Sequence, residues 1–315
     1  MKVLVTGADG FAGSWLVPAL LERGHEVVAA LRPGGAVRAR PGAGPAPDVA
    51  TIPLELRDAG SVLAAANAPY DGVVHLAAVA SGSEAQQDPG TAWEVNAAGT
   101  VRLADALGRW RAKGRDPLFL CVSTAEVYGA GPERPRVETD PTHPCSPYAA
   151  SKLGAEIGAL EVFRRTGLRV VIARAFPHTG PGQEDRFVAP AFARRLLTAK
   201  RVSAPVVKVG NLQPVREFLH VADVADAYVR LLDHAVPGEI YNVASGRPVP
   251  LTDVLRLLME IVGHRVVPEV DHALMRAVDV PYLVGDASKL RRATGWEPRH
   301  ALEDTLAELV HAQTD

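Results

Sequence analysis

Tyr148 and Lys152 stand four residues apart in Tyr148-Ala149-Ala150-Ser151-Lys152. On a helix that spacing puts both side chains on one face. An unaided tyrosine titrates near pH ~10, too high for acid–base work at neutral pH. A cation one turn away favours the phenolate and lowers that value. The pair can therefore move a proton near neutrality. A second group is Ser123-Thr124-Ala125-Glu126-Val127-Tyr128-Gly129, which directly follows an apolar run. Ligands of open parallel sheets bind beyond the carboxyl ends of the strands, which puts Thr124 and Glu126 at such a site. A turn hydroxyl and a surface carboxylate are the other accounts of these two residues.

The third group is Thr6-Gly7-Ala8-Asp9-Gly10-Phe11-Ala12-Gly13. It follows a short β-branched run and opens a helical pattern. The first glycine allows a tight turn, the second lets backbone approach a pyrophosphate, and the third lets helix and strand pack closely. The helix N-terminus offers free N–H groups and its dipole to the anion. Gly7, Gly10, Phe11, Ala12 and Gly13 are thus candidate dinucleotide-binding residues. An acidic residue at the end of the second strand would suit the ribose 2′-OH of NAD. That strand ends instead at Leu31-Arg32. An arginine suits a 2′-phosphate, so NADP(H) is preferred and NAD(H) stays open. A solvated loop arginine is the alternative for Arg32. Asp58 can accept from the adenine amino group or cap the helix that follows.

These residues need elements to hold them. Strands are expected at 3–6, 26–31, 51–54, 72–76, 117–123 and 169–173. Helices are expected at 11–23, 59–67, 95–113 and 148–166. Apolar strands without alternation, separated by helices, indicate a parallel sheet covered on both faces. The expected fold class is α/β, a doubly wound Rossmann sheet over residues 1–174. Residues 175–315 read as a smaller mixed α/β substrate lobe, with helices at 187–198, 221–234, 252–262 and from Leu302, and strands at 206–209 and 240–243. Segments within about 206–245 are expected to return to the first domain. The Gly-, Pro- and Ala-rich stretch Arg32–Pro47 reads as a loop.

Composition limits the partners. The chain has 315 residues, 47% hydrophobic, with net charge −2. No basic excess suggests a nucleic-acid surface, so the phosphates it handles should belong to small molecules. Cys121 and Cys145 form no metal-ligand or disulfide pattern. No apolar run approaches the roughly 18 residues of a membrane span, and none at the N-terminus resembles a signal peptide. The cytoplasm is the expected location.

With these groups in place, the sequence resembles the extended short-chain dehydrogenase/reductases of nucleotide sugars, the NAD-dependent epimerase/dehydratase family. The matching segments are TGADGFAG, His75–Ala78, Asn96-Ala97-Ala98-Gly99-Thr100, STAEVYG, YAASK and Arg216–Tyr228. The second half resembles the GDP-4-keto-6-deoxy-mannose reductases through Gly180–Gln183, Val207–Phe218, Tyr241–Gly246 and Asp279–Pro298. The resemblance implies a core that binds NADP(H), bordered also by Leu76, Ala77 and Ala78, and a lobe that binds a GDP-linked 4-keto sugar. Tyr148 would protonate the C4 oxygen as hydride arrives. Lys152 would hold the nicotinamide ribose and lower the tyrosine pKa, and Thr124 would hydrogen-bond the same sugar oxygen. Gln183 and Val188 would contact the nucleotide sugar. Arg216 and Arg276 would face the diphosphate, with a structural ion pair and a surface charge as the respective alternatives. A homodimer through the helices at 95–113 and 148–166 is also implied.

The sequence departs from this pattern at two places. Pro177 occupies the usual Asn position of Arg174-Ala175-Phe176-Pro177-His178, and proline lacks both an N–H and an amide. A contact is then missing or supplied by His178. Arg276 is followed by Ala277 and Val278 where the reductases carry Arg-Pro. Thr124 and Glu126 also form the Thr-x-Glu of the dehydratases, whose carboxylate removes the C5 proton of a 4-keto intermediate. Reductases can carry the same Glu. The second half and compact length favour a reductase, with a GDP-mannose 4,6-dehydratase or another epimerase or reductase as alternatives. A non-catalytic NADP sensor is disfavoured because Tyr148 and Lys152 are both present.

Overall fold

A computed structural model describes residues 1–42, 44–111, 113–275 and 279–314. The first half alternates strands and helices: β1 (Lys2–Thr6), α1 (Phe11–Glu22), β2 (Glu26–Leu31), β3 (Ala50–Pro53), α2 (Ala59–Ala66) and β4 (Gly72–His75). Two short helices, α3 (Gly82–Gln87) and α4 (Pro89–Trp93), lead into a π-helical segment at Glu94–Gly99 and then α5 (Thr100–Arg111). β5 (Leu118–Thr124) runs into a 3-10 turn, Ala125–Tyr128, followed by α6 (Pro147–Thr166) and β6 (Arg169–Ala175).

The second half contains β7 (His178–Thr179), α7 (Val188–Arg201), β8 (Val206–Val209), β9 (Val215–Arg216), β10 (Leu219–His220) and α8 (Val221–His234). It continues with β11 (Ile240–Val243), β12 (Val249–Pro250), α9 (Leu251–Val262), β13 (Val267–Val270), α10 (Ser288–Thr294) and α11 (Leu302–His311).

Seven parallel strands form the central sheet in the order β11-β6-β5-β4-β1-β2-β3. The order reverses between β1 and β4, the crevice where doubly wound sheets place ligands. Both faces are covered. Trp15, Leu16 and Leu20 of α1 and Val224, Tyr228 and Leu231 of α8 pack on one side. Val62 of α2, Leu103 and Leu107 of α5 and Ala159 and Val162 of α6 pack on the other. This two-sided burial is why β1, β4 and β5 lack alternation.

The second lobe has its own core, built from Phe192 and Leu196 of α7, Leu255 and Leu258 of α9 and Leu306 and Leu309 of α11. β8 pairs in parallel with β13 and shares this core, so the return to the sheet starts later than residue 206. It is made by α8 and β11. A single helix over 95–113 is also corrected. The π-helical turn at 94–99 interrupts it, and α5 begins only at Thr100.

Candidate active site

The loop after β1 is tight. Gly7 has φ +68°, and a Cβ there would lie 2.8 Å from the Ala77 nitrogen at the end of β4. A Cβ on Gly13 would lie 2.6 Å from the Gly7 carbonyl oxygen. Only glycine permits both approaches. α1 starts with Gly10 as its cap, with no side-chain hydrogen bond. Phe11, Ala12 and Gly13 precede the first intrahelical bond, from the Ser14 N–H to the Gly10 oxygen (3.0 Å). The end of β1, the head of α1 and the Leu76–Ala78 segment thus border one crevice, shaped for a dinucleotide backbone.

A buried polar chain braces the crevice. The Thr6 hydroxyl lies 2.7 Å from His75 Nδ1 and accepts from the Ala77 N–H. His75 Nε2 lies 3.0 Å from the Thr100 hydroxyl. Burial, and then the Lys152 ammonium, push the His75 pKa down to about 3, so the ring is neutral. The π-helical turn aims Asn96 inward. Its amide bonds the Val79 N–H and carbonyl and donates to the Ser151 hydroxyl (3.0 Å). Such wide turns recur where a side chain must be re-aimed. Asn96 thereby ties the loop after β4 to α6.

Ser146 caps α6 by accepting from the Ala149 N–H, and Pro147 occupies its first turn. Both are strong start signals. They fix Tyr148 at the head of α6 and Lys152 one turn on. Thr124 is the last residue of β5, and its hydroxyl accepts from the Glu126 N–H (3.2 Å). The same hydroxyl stands close enough to the Tyr148 phenol to lower its pKa. Tyr148, Thr124 and Glu126 therefore converge.

Burial raises the Tyr148 pKa above the ordinary tyrosine value; the Glu126 carboxylate raises it further and the Thr124 hydrogen bond opposes. The Lys152 Nζ donates to the Val122 carbonyl, and burial lowers its pKa.

Exposed Arg32 follows β2. Glu55, just beyond β3, accepts from the Arg57 backbone and guanidinium. The Arg57 backbone bond is the main reason its carboxyl sits below the usual range, and the Arg32 charge adds to it. Arg32, Glu55 and Arg57 form one cluster at the carboxyl ends of β2 and β3. Glu55 and Arg57 went unread in the sequence; the signal was an acidic–basic pair at a strand end. Asp58 caps α2 by accepting from the Gly60 N–H (2.8 Å), as the capping account requires.

The second-lobe residues are distributed as follows. Gln183 is half-buried; its Oε1 accepts from Thr179 (2.7 Å) and its Nε2 donates to the His178 carbonyl (3.0 Å). Val188 begins α7 and packs on the lobe core. Arg216 donates to Asp279 (2.7 Å), the ion pair that was its alternative account. Arg276 lies outside the described residues. Glu217, beside Arg216, is fully buried and accepts from the backbone N–H groups of Ser245, Gly246 and Gly285. It pins together three segments of the lobe. Its signal was a carboxylate directly before the apolar pair Phe218-Leu219.

This arrangement can bind a dinucleotide along the Gly7–Gly13 loop and protonate or deprotonate an oxygen held between Thr124 and Tyr148. The comparisons agree with that class of site. Residues 3–244 match the model of the NAD dependent epimerase/dehydratase family, and the chain belongs to that family of oxidoreductase-type enzymes. It is 37% identical to the GDP-6-deoxy-D-mannose reductase of Pseudomonas aeruginosa over 243 residues, 76% of this chain and 79% of that protein. It is 33% identical to a dTDP-glucose 4,6-dehydratase of Streptomyces antibioticus, covering 98% of this chain and 91% of that protein. Among solved structures, RMD from Pseudomonas aeruginosa complexed with NADPH superposes with a TM-score of 0.82 at 32% identity, over 99% of this chain and 98% of that one. The UDP-glucose 4-epimerase of Thermus thermophilus in complex with NAD gives 0.84 at 31%, over 99% and 98%.

Proposed function

We propose that this chain reduces the 4-keto group of a GDP-4-keto-6-deoxy-hexose with NADP(H). The carrying observation is the meeting of Thr124, the last residue of β5, with Tyr148, at the head of α6, at the carboxyl end of the sheet. A reductive step needs a proton donor at C4, a part that Tyr148 can take there. The likeness to a GDP-6-deoxy-D-mannose reductase and to a structure with NADPH supports the same direction.

The glycine cradle fits the cofactor, since Gly7 and Gly13 let β1, the Leu76–Ala77 backbone and the head of α1 close together tightly enough to leave the helix N-terminus open to a pyrophosphate, a packing that a Cβ at either position would break. When bound, NADPH supplies the hydride. Thr124 and Tyr148 hold the C4 oxygen, and Tyr148 gives it a proton. Lys152 holds the nicotinamide ribose. Arg32 faces the 2′-phosphate and favours NADPH over NADH. Gln183 and Val188 border the nucleotide sugar. The test is nicotinamide consumption with GDP-4-keto-6-deoxymannose, which should match product formation one for one.

A dehydratase is the second reading, favoured by Glu126 standing close enough to act on Tyr148. Conversion of GDP-mannose without net cofactor consumption would support it. The proposed assembly is a cytoplasmic homodimer. Trp93 beside α6 and Ile157 on it are 46% and 60% exposed, an apolar face suited to a second copy. Ile157→Lys should yield monomers in light scattering, whereas an unchanged mass would remove this seam.

A further inference from the structure

His178 sits where the two ligand-binding halves meet. β7, which it opens, follows β6, and the last residue of β6, Ala175, pairs in register with Thr124. The His178 ring lies parallel to the Phe11 ring, at 7° and 6.1 Å between centroids. Phe11 is the first residue of α1, next to the glycine loop. The His178 carbonyl holds Gln183, and Thr179 holds the other end of that amide. One imidazole therefore touches the cofactor loop on its face and the Gly180–Gln183 segment through its backbone.

The hydrogen bonds assign its tautomer. Nδ1 lies 3.0 Å from the Phe176 carbonyl oxygen, which can only accept, so Nδ1 carries the proton. Burial lowers the His178 pKa, with the Phe176 bond opposing, and the ring is neutral near pH 7. Nε2 then presents a lone pair. It makes no hydrogen bond among the described residues, and it is not one of the buried atoms left without a partner. It reaches accessible space beside Phe11. The preceding Pro177 has no N–H, and its carbonyl is occupied by the Leu219 N–H. At this corner the His178 ring itself offers an acceptor, its one N–H being held by the Phe176 carbonyl. An acceptor repels phosphate oxygens and matches a hydroxyl.

We infer that His178 is a specificity-determining residue whose Nε2 accepts a hydrogen bond from a hydroxyl of the sugar carried by the nucleotide. The inference rests on the reading of the substrate as a nucleotide sugar. The Phe11 stack and the Phe176 bond hold the imidazole, and the accepted hydroxyl sets how the sugar ring lies against Thr124 and Tyr148.

The test is calorimetric titration of the NADPH-saturated protein with three pairs: GDP and GDP-mannose, UDP and UDP-glucose, dTDP and dTDP-glucose. His178→Phe keeps a ring on Phe11 and removes Nε2; His178→Leu is the second variant should the first not fold, with NADPH binding as the check. Loss of one neutral hydrogen bond should weaken the sugar nucleotide by about five- to tenfold and leave the bare diphosphate within about twofold. Equal changes in both members of a pair, or none, would overturn the assignment. If the wild type binds only a UDP or dTDP pair, the GDP reading fails and the His178 comparison is read on the pair that binds. If it binds no sugar nucleotide, both fall.

Discussion

The Thr124 hydroxyl meets the Tyr148 phenol, bringing the end of β5 to the head of α6. Register and capping produce this meeting. β5 ends at Thr124 against Ala175 of β6, and Ser146 and Pro147 start α6 one residue before Tyr148. Burial and the nearby Glu126 keep the phenol protonated.

Tyr148→Phe keeps the ring and removes the proton donor. Turnover should fall by about 10²- to 10⁴-fold, the usual range for a positioned acid. NADPH binding, followed by fluorescence, should persist. Activity within a few-fold of wild type would remove Tyr148 from the chemistry.

Arg32→Ala removes a charged donor from the end of β2. KM for NADPH should rise about tenfold or more, with KM for NADH nearly unchanged. An equal rise for both cofactors would leave no case for 2′-phosphate recognition at this residue.

Behind the site, Arg174 and Glu156 form a buried bidentate pair, with contacts of 2.7 and 3.1 Å and side-chain exposures of 5% and 2%. Ser123 also donates to Glu156, and the guanidinium lies over the Tyr128 ring. Glu156→Leu or Arg174→Leu leaves one charge buried and uncompensated and should cost about 3–5 kcal/mol. The double variant should lose less than the sum of the two in chemical denaturation. Simple additivity would mean that the pair does not act as a unit.

Glu217 gives a pH dependence. Burial raises its carboxyl from 4.5 to about 7, against hydrogen bonds from Ser245, Gly285 and Gly246 that lower it. The unfolded chain releases this proton first, so between those two values the folded state binds more protons. Stability should fall as pH rises through that window, by roughly 3 kcal/mol at about 1.4 kcal/mol per pH unit. Glu217→Gln should flatten the profile there. A slope of the same size in the variant would assign it to another group.

The regular elements were largely legible. β2, β8, α8 and β11 have the bounds that their apolar runs and breakers indicate. The failures have physical causes. α3 and α4 are only six and five residues long and depend on side-chain caps from Ser81 and Asp88 rather than on periodicity. The π-helical turn is set by what Asn96 must reach, a contact with Ser151 55 residues away. In the site, spacing placed Tyr148 beside Lys152 but could not show that Lys152 bonds the Val122 carbonyl. Arg216 read as a phosphate ligand because its partner, Asp279, is 63 residues distant. Local pattern carries the strands and the glycine loop; partners fixed by tertiary approach lie beyond it.

The most direct measurement is the stoichiometry of NADPH oxidation with GDP-4-keto-6-deoxymannose. The expected result is one NADPH consumed for each GDP-6-deoxy-hexose formed, abolished in Tyr148→Phe. Conversion of GDP-mannose to the 4-keto sugar with no net change in NADPH would contradict the reductase and assign the chain to dehydration.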